Sequence, residues 1–95
     1  MPVIEVTSTA VQLIESDPKR KFISFTNEDD GNKVYISDKG KPNYTDAKWI
    51  INPLKTLIIS RVMGYPERAF YAVSAGGNAK LAVGFQNDDE EPNNR

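Results

Sequence analysis

The sequence predicts an all-β domain: a small antiparallel β-sandwich, or barrel-like sandwich, of about seven or eight short strands. Three observations carry this. Short runs rich in β-branched and aromatic residues alternate with turn signals along the chain. No window sustains the spacing of an amphipathic helix. The run Ala79 to Gln86 alternates with a period of two.

Taken in order, Val3 to Thr9 is a β-rich run that continues through Ala10 to Ile14. Glu15 to Lys19 is a turn, where Pro18 holds Asp17 to extended conformations. Lys21 to Asn27 and Lys33 to Ser37 flank Glu28-Asp29-Asp30-Gly31-Asn32, and a hairpin is expected there. Asp38 to Ala47 is a polar loop. Lys48 to Asn52 and Leu54 to Ser60 are strands separated by Pro53, which marks a bend or an edge. Arg68 to Ala75 and Ala79 to Gln86 surround Gly76-Gly77-Asn78, the clearest hairpin signal in the chain. In the last run Leu81, Val83 and Phe85 share a face and are expected to point to the core. Residues 1–86 thus form one domain. The segment 87–95 has four acids, a proline and nothing apolar to bury, so it is expected to be an acidic disordered tail.

The chain has 95 residues and no cysteine, so its core is thin and unstapled. Such a core often leans on a partner or on further copies. The formal net charge is -1, from 12 basic and 13 acidic residues. The last ten residues hold four of the acids and one base, leaving 11 bases and 9 acids in the body. This is not the basic footprint of a nucleic-acid binder. No apolar run approaches the roughly 18 residues of a membrane span. The N-terminal Met-Pro-Val-Ile-Glu has neither a basic nor an apolar leader region, which points to synthesis in the cytoplasm.

Histidine is absent, which removes the commonest general base and the imidazole ligand; without cysteine there is no thiol nucleophile or thiolate ligand. No catalytic, cofactor or metal residues are assigned, and the chain is not expected to be an enzyme. Glu28, Asp29 and Asp30 lack the alternate ligand spacing of a calcium loop and read as a solvated turn. Lys19-Arg20-Lys21 lies beside Phe22 and Phe25, but those rings fall on opposite faces of a strand and make no stacking platform. Asn43-Tyr44-Thr45 is a glycosylation sequon without a secretory leader. Trp49 alternates with Ile51, as a core residue would. The loop Arg61 to Glu67 places Val62, Met63 and Tyr65 where loops are normally wet. It is either a partner contact, carried by Arg61, Met63, Tyr65 and Pro66, or a flap over an open sandwich end.

The stretch Leu13 to Ser37, LIESDPKRKFISFTNEDDGNKVYIS, places an arginine before an alternating strand, then an asparagine, a turn and Val-Tyr-Ile. Ile51-Asn52-Pro53-Leu54-Lys55 and Phe70 to Ala75 follow in order. This pattern resembles small β-sandwich structural proteins of tailed bacteriophages, the head-decoration proteins and the capsid-attached bases of head fibres. The resemblance spans Val11 to Gln86. One departure is that Pro53-Leu54 stands where the pattern has Pro-Gly. The resemblance implies no catalytic residues. It implies attachment to a major capsid protein or other virion protein, on the capsid surface, as a homo-oligomer, with trimers frequent. Arg20, reaching a carboxylate or backbone carbonyls, and Asn27, capping a turn, are then fold-holding residues.

The functional expectation is therefore a capsid decoration (cement) protein or the capsid-anchoring module of a head fibre. The alternative is a carbohydrate- or host-surface-binding module on a tail or fibre, for which Trp49 or Tyr65 would lie exposed on one flat patch.

Overall fold

The computed structural model describes residues 3–43, 46–62 and 64–87, the last of them through its backbone alone. It holds eight strands and no helix among these residues. In chain order they are β1 (Val3–Val6), β2 (Val11–Ile14), β3 (Arg20–Asn27) and β4 (Val34–Ser37). β5 (Trp49–Ile51), β6 (Thr56–Ser60), β7 (Phe70–Ser74) and β8 (Ala79–Asn87) follow. They form two antiparallel four-stranded sheets, ordered β1-β8-β3-β6 and β2-β7-β4-β5. An eight-stranded double sheet with this strand order is a jelly roll.

The expected all-β sandwich is present, and each β-rich run forms strand, but the first run, read as continuing from Val3 to Ile14, is two strands, β1 and β2, in different sheets. The two expected hairpins are not hairpins. β3 and β4 lie in different sheets, and so do β7 and β8. The turn residues reverse the chain as read, but they carry it across the core instead of along one sheet. The reason is non-local. β8 finds a longer partner in β3, paired from Arg20↔Asn87 to Asn27↔Leu81, than a neighbouring hairpin arm would offer. β7 fits between β2 and β4. Only β4 and β5 are neighbours both in sequence and within a sheet.

The core lies between the sheets and follows the period-two pattern. Ile23, Phe25, Ile59, Leu81 and Val83 point inward from one sheet, and Val34, Ile36, Ile51, Phe70 and Ala72 from the other. Phe25 and Phe70 meet across the middle with ring centroids 5.3 Å apart at 59°, a tilted pair. Trp49 packs on Phe70 at 6.2 Å. Phe85 departs from expectation. It shares the inward parity of Leu81 and Val83, yet it is 45% exposed. β8 there runs past the filled core, and what lies beside the ring is the Arg20 guanidinium, 5.7 Å from its centroid. Asn87, assigned to the tail from sequence, is the last residue of β8; the remaining tail residues lie outside the described part of the chain.

β5 passes to β6 from the edge of one sheet to the edge of the other through Asn52-Pro53-Leu54-Lys55. Lys55 N–H donates to Asn52 O at 3.2 Å, closing a four-residue turn with Pro53 second and Leu54 third. Leu54 has φ of +62° and is exposed. The third position of such a turn is the one glycine normally takes. A left-handed leucine is strained by roughly 1–2 kcal/mol. Leu54→Gly is therefore expected to stabilise the fold by up to about 1 kcal/mol after its larger chain entropy is counted. Leu54→Val is expected to destabilise it. Urea denaturation of the two variants checks both signs.

Candidate interaction surfaces

One end of the sandwich is built around Arg20, which is 2% exposed. A bulge between Arg20 and Phe22 turns this first residue of β3 inward. Its guanidinium donates from Nη1 to Pro66 O at 2.8 Å and to Arg68 O at 3.1 Å, and from Nη2 to Glu15 O at 2.6 Å. One planar fork thus ties the β2–β3 turn to the loop between β6 and β7. Burial lowers the Arg20 pKa; Asp17 and Glu67 act in the opposite direction. The group remains charged throughout the working pH range.

The loop is pinned at further points. Asp17 N–H donates to Glu67 O at 2.8 Å, and Gly64 N–H to Ser60 O at 3.0 Å. Arg61 pairs with Glu67, Nε to Oε2 at 3.1 Å. Arg68 reaches Asp38 at 3.2 Å and lies 4.1 Å from the centroid of the Tyr65 ring. Asp38 is buried and also faces Lys48, at 3.8 Å. Gly64 is a close approach: a Cβ there would stand 3.2 Å from Ile59 Cγ2 and 3.8 Å from Trp49 Cζ2. The loop is therefore a flap closed over the sandwich end.

Of the four residues expected to meet a partner, the structure separates the set. Pro66 is fully buried, its carbonyl held by Arg20, and is removed from the candidate surface. Arg61 is exposed but ion-paired. Tyr65 is 54% exposed, under Arg68. Met63 lies outside the described residues. The residue the expectation left out is Val62, 95% exposed. Its place in an apolar loop run was the available signal. Trp49 is half-buried, packed on Phe70 and beside Gly64.

At the opposite end Asn27 does the same work as Arg20. Its Nδ2 donates to Asn32 O at 2.8 Å and to Ile51 O at 3.1 Å, and its Oδ1 accepts from Asp29 N–H at 3.0 Å. It links β3 of one sheet to β5 of the other while capping the turn. The acidic turn is used locally: the Asp29 carboxylate accepts from Gly31 N–H at 2.8 Å and Asn32 N–H at 2.6 Å. Among the described residues no group of three or more acidic side chains is placed to hold a metal. No helix among them is long and apolar enough to cross a membrane.

The outer face of the β1-β8-β3-β6 sheet is the larger candidate surface. Register places Ile58, Ser24 and Gly84 in one row, with Thr56, Thr26, Ala82 and Val3 in the next. Ser60, Phe22 and Gln86 form a third row. Thr26 and Thr56 join their hydroxyls at 2.9 Å. Among the residues paired in these rows, formal charge stands at the corner, where Glu5 is paired with Lys80 in the ladder. Ile58 is 53% exposed in this face. The outer face of the other sheet is also uncharged over Tyr35, Tyr71, Val73 and Ile50.

No protein-family model matches the chain, and no curated protein or solved structure is significantly similar to it.

Proposed function

We propose that this chain is a structural protein of a tailed-bacteriophage virion. It would be a capsid decoration (cement) protein or the capsid-anchoring module of a head fibre, present in several copies on the capsid surface. The observation that carries the reading is the broad sheet face of Ile58, Thr56, Thr26, Ser24 and Val3, nearly free of charge. Ordinary solvated sheet faces carry charges, and contact faces lose them at their centres. The apolar flap tip, Val62 and Tyr65, supplies a second contact point. Viral capsid proteins are among the hosts of the jelly roll, a fold-level analogy that agrees with the residue pattern. A decoration protein of this kind stabilises a shell by binding the assembled form and bridging neighbouring subunits.

The test is to heat purified particles that contain the protein beside particles that lack it. The decorated shell is expected to survive to a higher temperature. Equal stability, with the protein absent from purified particles, would refute the proposal. The second reading, a carbohydrate- or host-surface-binding module, is favoured only by the exposure of Tyr65. Glycan-array binding abolished by Tyr65→Ala would support it over the first.

A further inference from the structure

We propose that β6 is a joining edge, onto which a second copy of this chain adds its own β6, antiparallel and about a twofold axis. The inference deepens the reading above, in which the protein stands on the shell in several copies, and names a joint between them.

The sandwich has four edge strands, β1, β6, β2 and β5. Three are blunted in the ways that prevent strand addition. β2 breaks register between Gln12 and Ile14. β5 is three residues long. β1 is four residues long and carries the charge of Glu5. β6, Thr-Leu-Ile-Ile-Ser, has no charge, proline or glycine, and it pairs with β3 without a register shift.

The ladder's phase identifies the free groups. Asn27 N–H donates to Lys55 O at 2.9 Å, so residues 27 and 55 are a hydrogen-bonded pair. Alternation then makes Phe25–Leu57 and Ile23–Ile59 hydrogen-bonded pairs as well. It turns the N–H and C=O of Thr56, Ile58 and Ser60 toward the open edge. The Ser60 carbonyl already accepts from Gly64 N–H. Among the described residues Thr56 and Ile58 remain, each with one donor and one acceptor. A second copy centred on Leu57 sets Thr56 against Ile58 of that copy, and Ile58 against its Thr56. Each free donor meets a free acceptor. Lys55 then lies opposite Ile59 of the second copy, so no like charges oppose. A register centred on Ile58 would set Lys55 against Arg61 and would need the occupied Ser60 carbonyl. The pair of residues is its own complement under a twofold axis, and this selects a second copy as the occupant.

Sedimentation equilibrium of the full chain is expected to give a dimer at micromolar concentration. Ile58→Pro removes an edge N–H and no bond to β3. It is expected to weaken dimerisation about tenfold or more. Ile58→Lys, with circular dichroism confirming the fold, is expected to weaken it in the same direction. Because the chain has no cysteine, Leu57→Cys gives a clean register test: oxidation is expected to cross-link it across the axis, while Ile58→Cys stays uncrosslinked. An oligomer indifferent to both Ile58 variants, or cross-linking at 58 and not at 57, overturns the joint and leaves self-association standing. A chain that stays monomeric overturns both.

Discussion

Arg20→Ala is expected to destabilise the domain by about 3–5 kcal/mol, as much as truncating a buried core aromatic. The mutation leaves the carbonyls of Glu15, Pro66 and Arg68 without their donor at a closed end of the sandwich. It also uncovers the ring of Phe85, which lies against the guanidinium. Removing the charge returns the desolvation cost of burying it, which is why the expected loss is below the sum of three charge-assisted bonds. A domain of this length has a total stability of only about 5–14 kcal/mol, so the loss is a large share of it. Arg20→Lys is expected to recover part, since one ammonium cannot reproduce the fork. Urea denaturation measures both, and a loss under about 1 kcal/mol for Arg20→Ala would contradict the role given to this residue.

Asn27→Leu is expected to cost about 2–4 kcal/mol. Leucine fills similar space but leaves Asn32 O, Ile51 O and Asp29 N–H without their shared partner. Two of those groups hold the turn, and the third belongs to the facing sheet, so the change loosens the turn and the joint between layers together. Asn27→Asp is expected to be at least as damaging. It keeps the acceptor for Asp29 N–H but turns a carboxylate toward two carbonyl oxygens. Thermal unfolding should fall by roughly 10 °C or more for either variant, given the few degrees per kcal/mol expected at this size.

The strands of this protein are legible in its sequence because the pattern that makes them is local. Alternation in Ala79 to Gln86 and in Lys21 to Asn27 survives into β8 and β3, with Leu81 and Val83 inward as expected. What the sequence does not display is the plane of each reversal. Gly76 takes a positive φ of 91°, as a turn residue should, yet the same turn chemistry serves a hairpin or a crossing between sheets. The choice was made by β3, some fifty residues before β8, and no local window contains it. Phe85 fails for a related reason. Parity gives a side chain its face, but the end of the core depends on where the opposite sheet stops.

Arg20 and Asn27 were visible as residues of interest through the resemblance, whose pattern has an arginine before and an asparagine after an alternating strand. Their partners were not, because they are backbone carbonyls brought in by distant loops. The flap was readable as an apolar loop, but only the fold separates buried Pro66 from exposed Val62. Leu54 shows the converse: a departure from the usual Pro-Gly pattern in sequence corresponds to a strained backbone in the structure.

The proposed role of this jelly roll is assembly on a virion shell. Cryo-electron microscopy of purified particles tests it most directly. Density for the eight-stranded sandwich is expected at joints between capsid subunits, with an uncharged sheet face or the Val62–Tyr65 flap tip against the shell. Particles that contain the protein nowhere on their surface would contradict it.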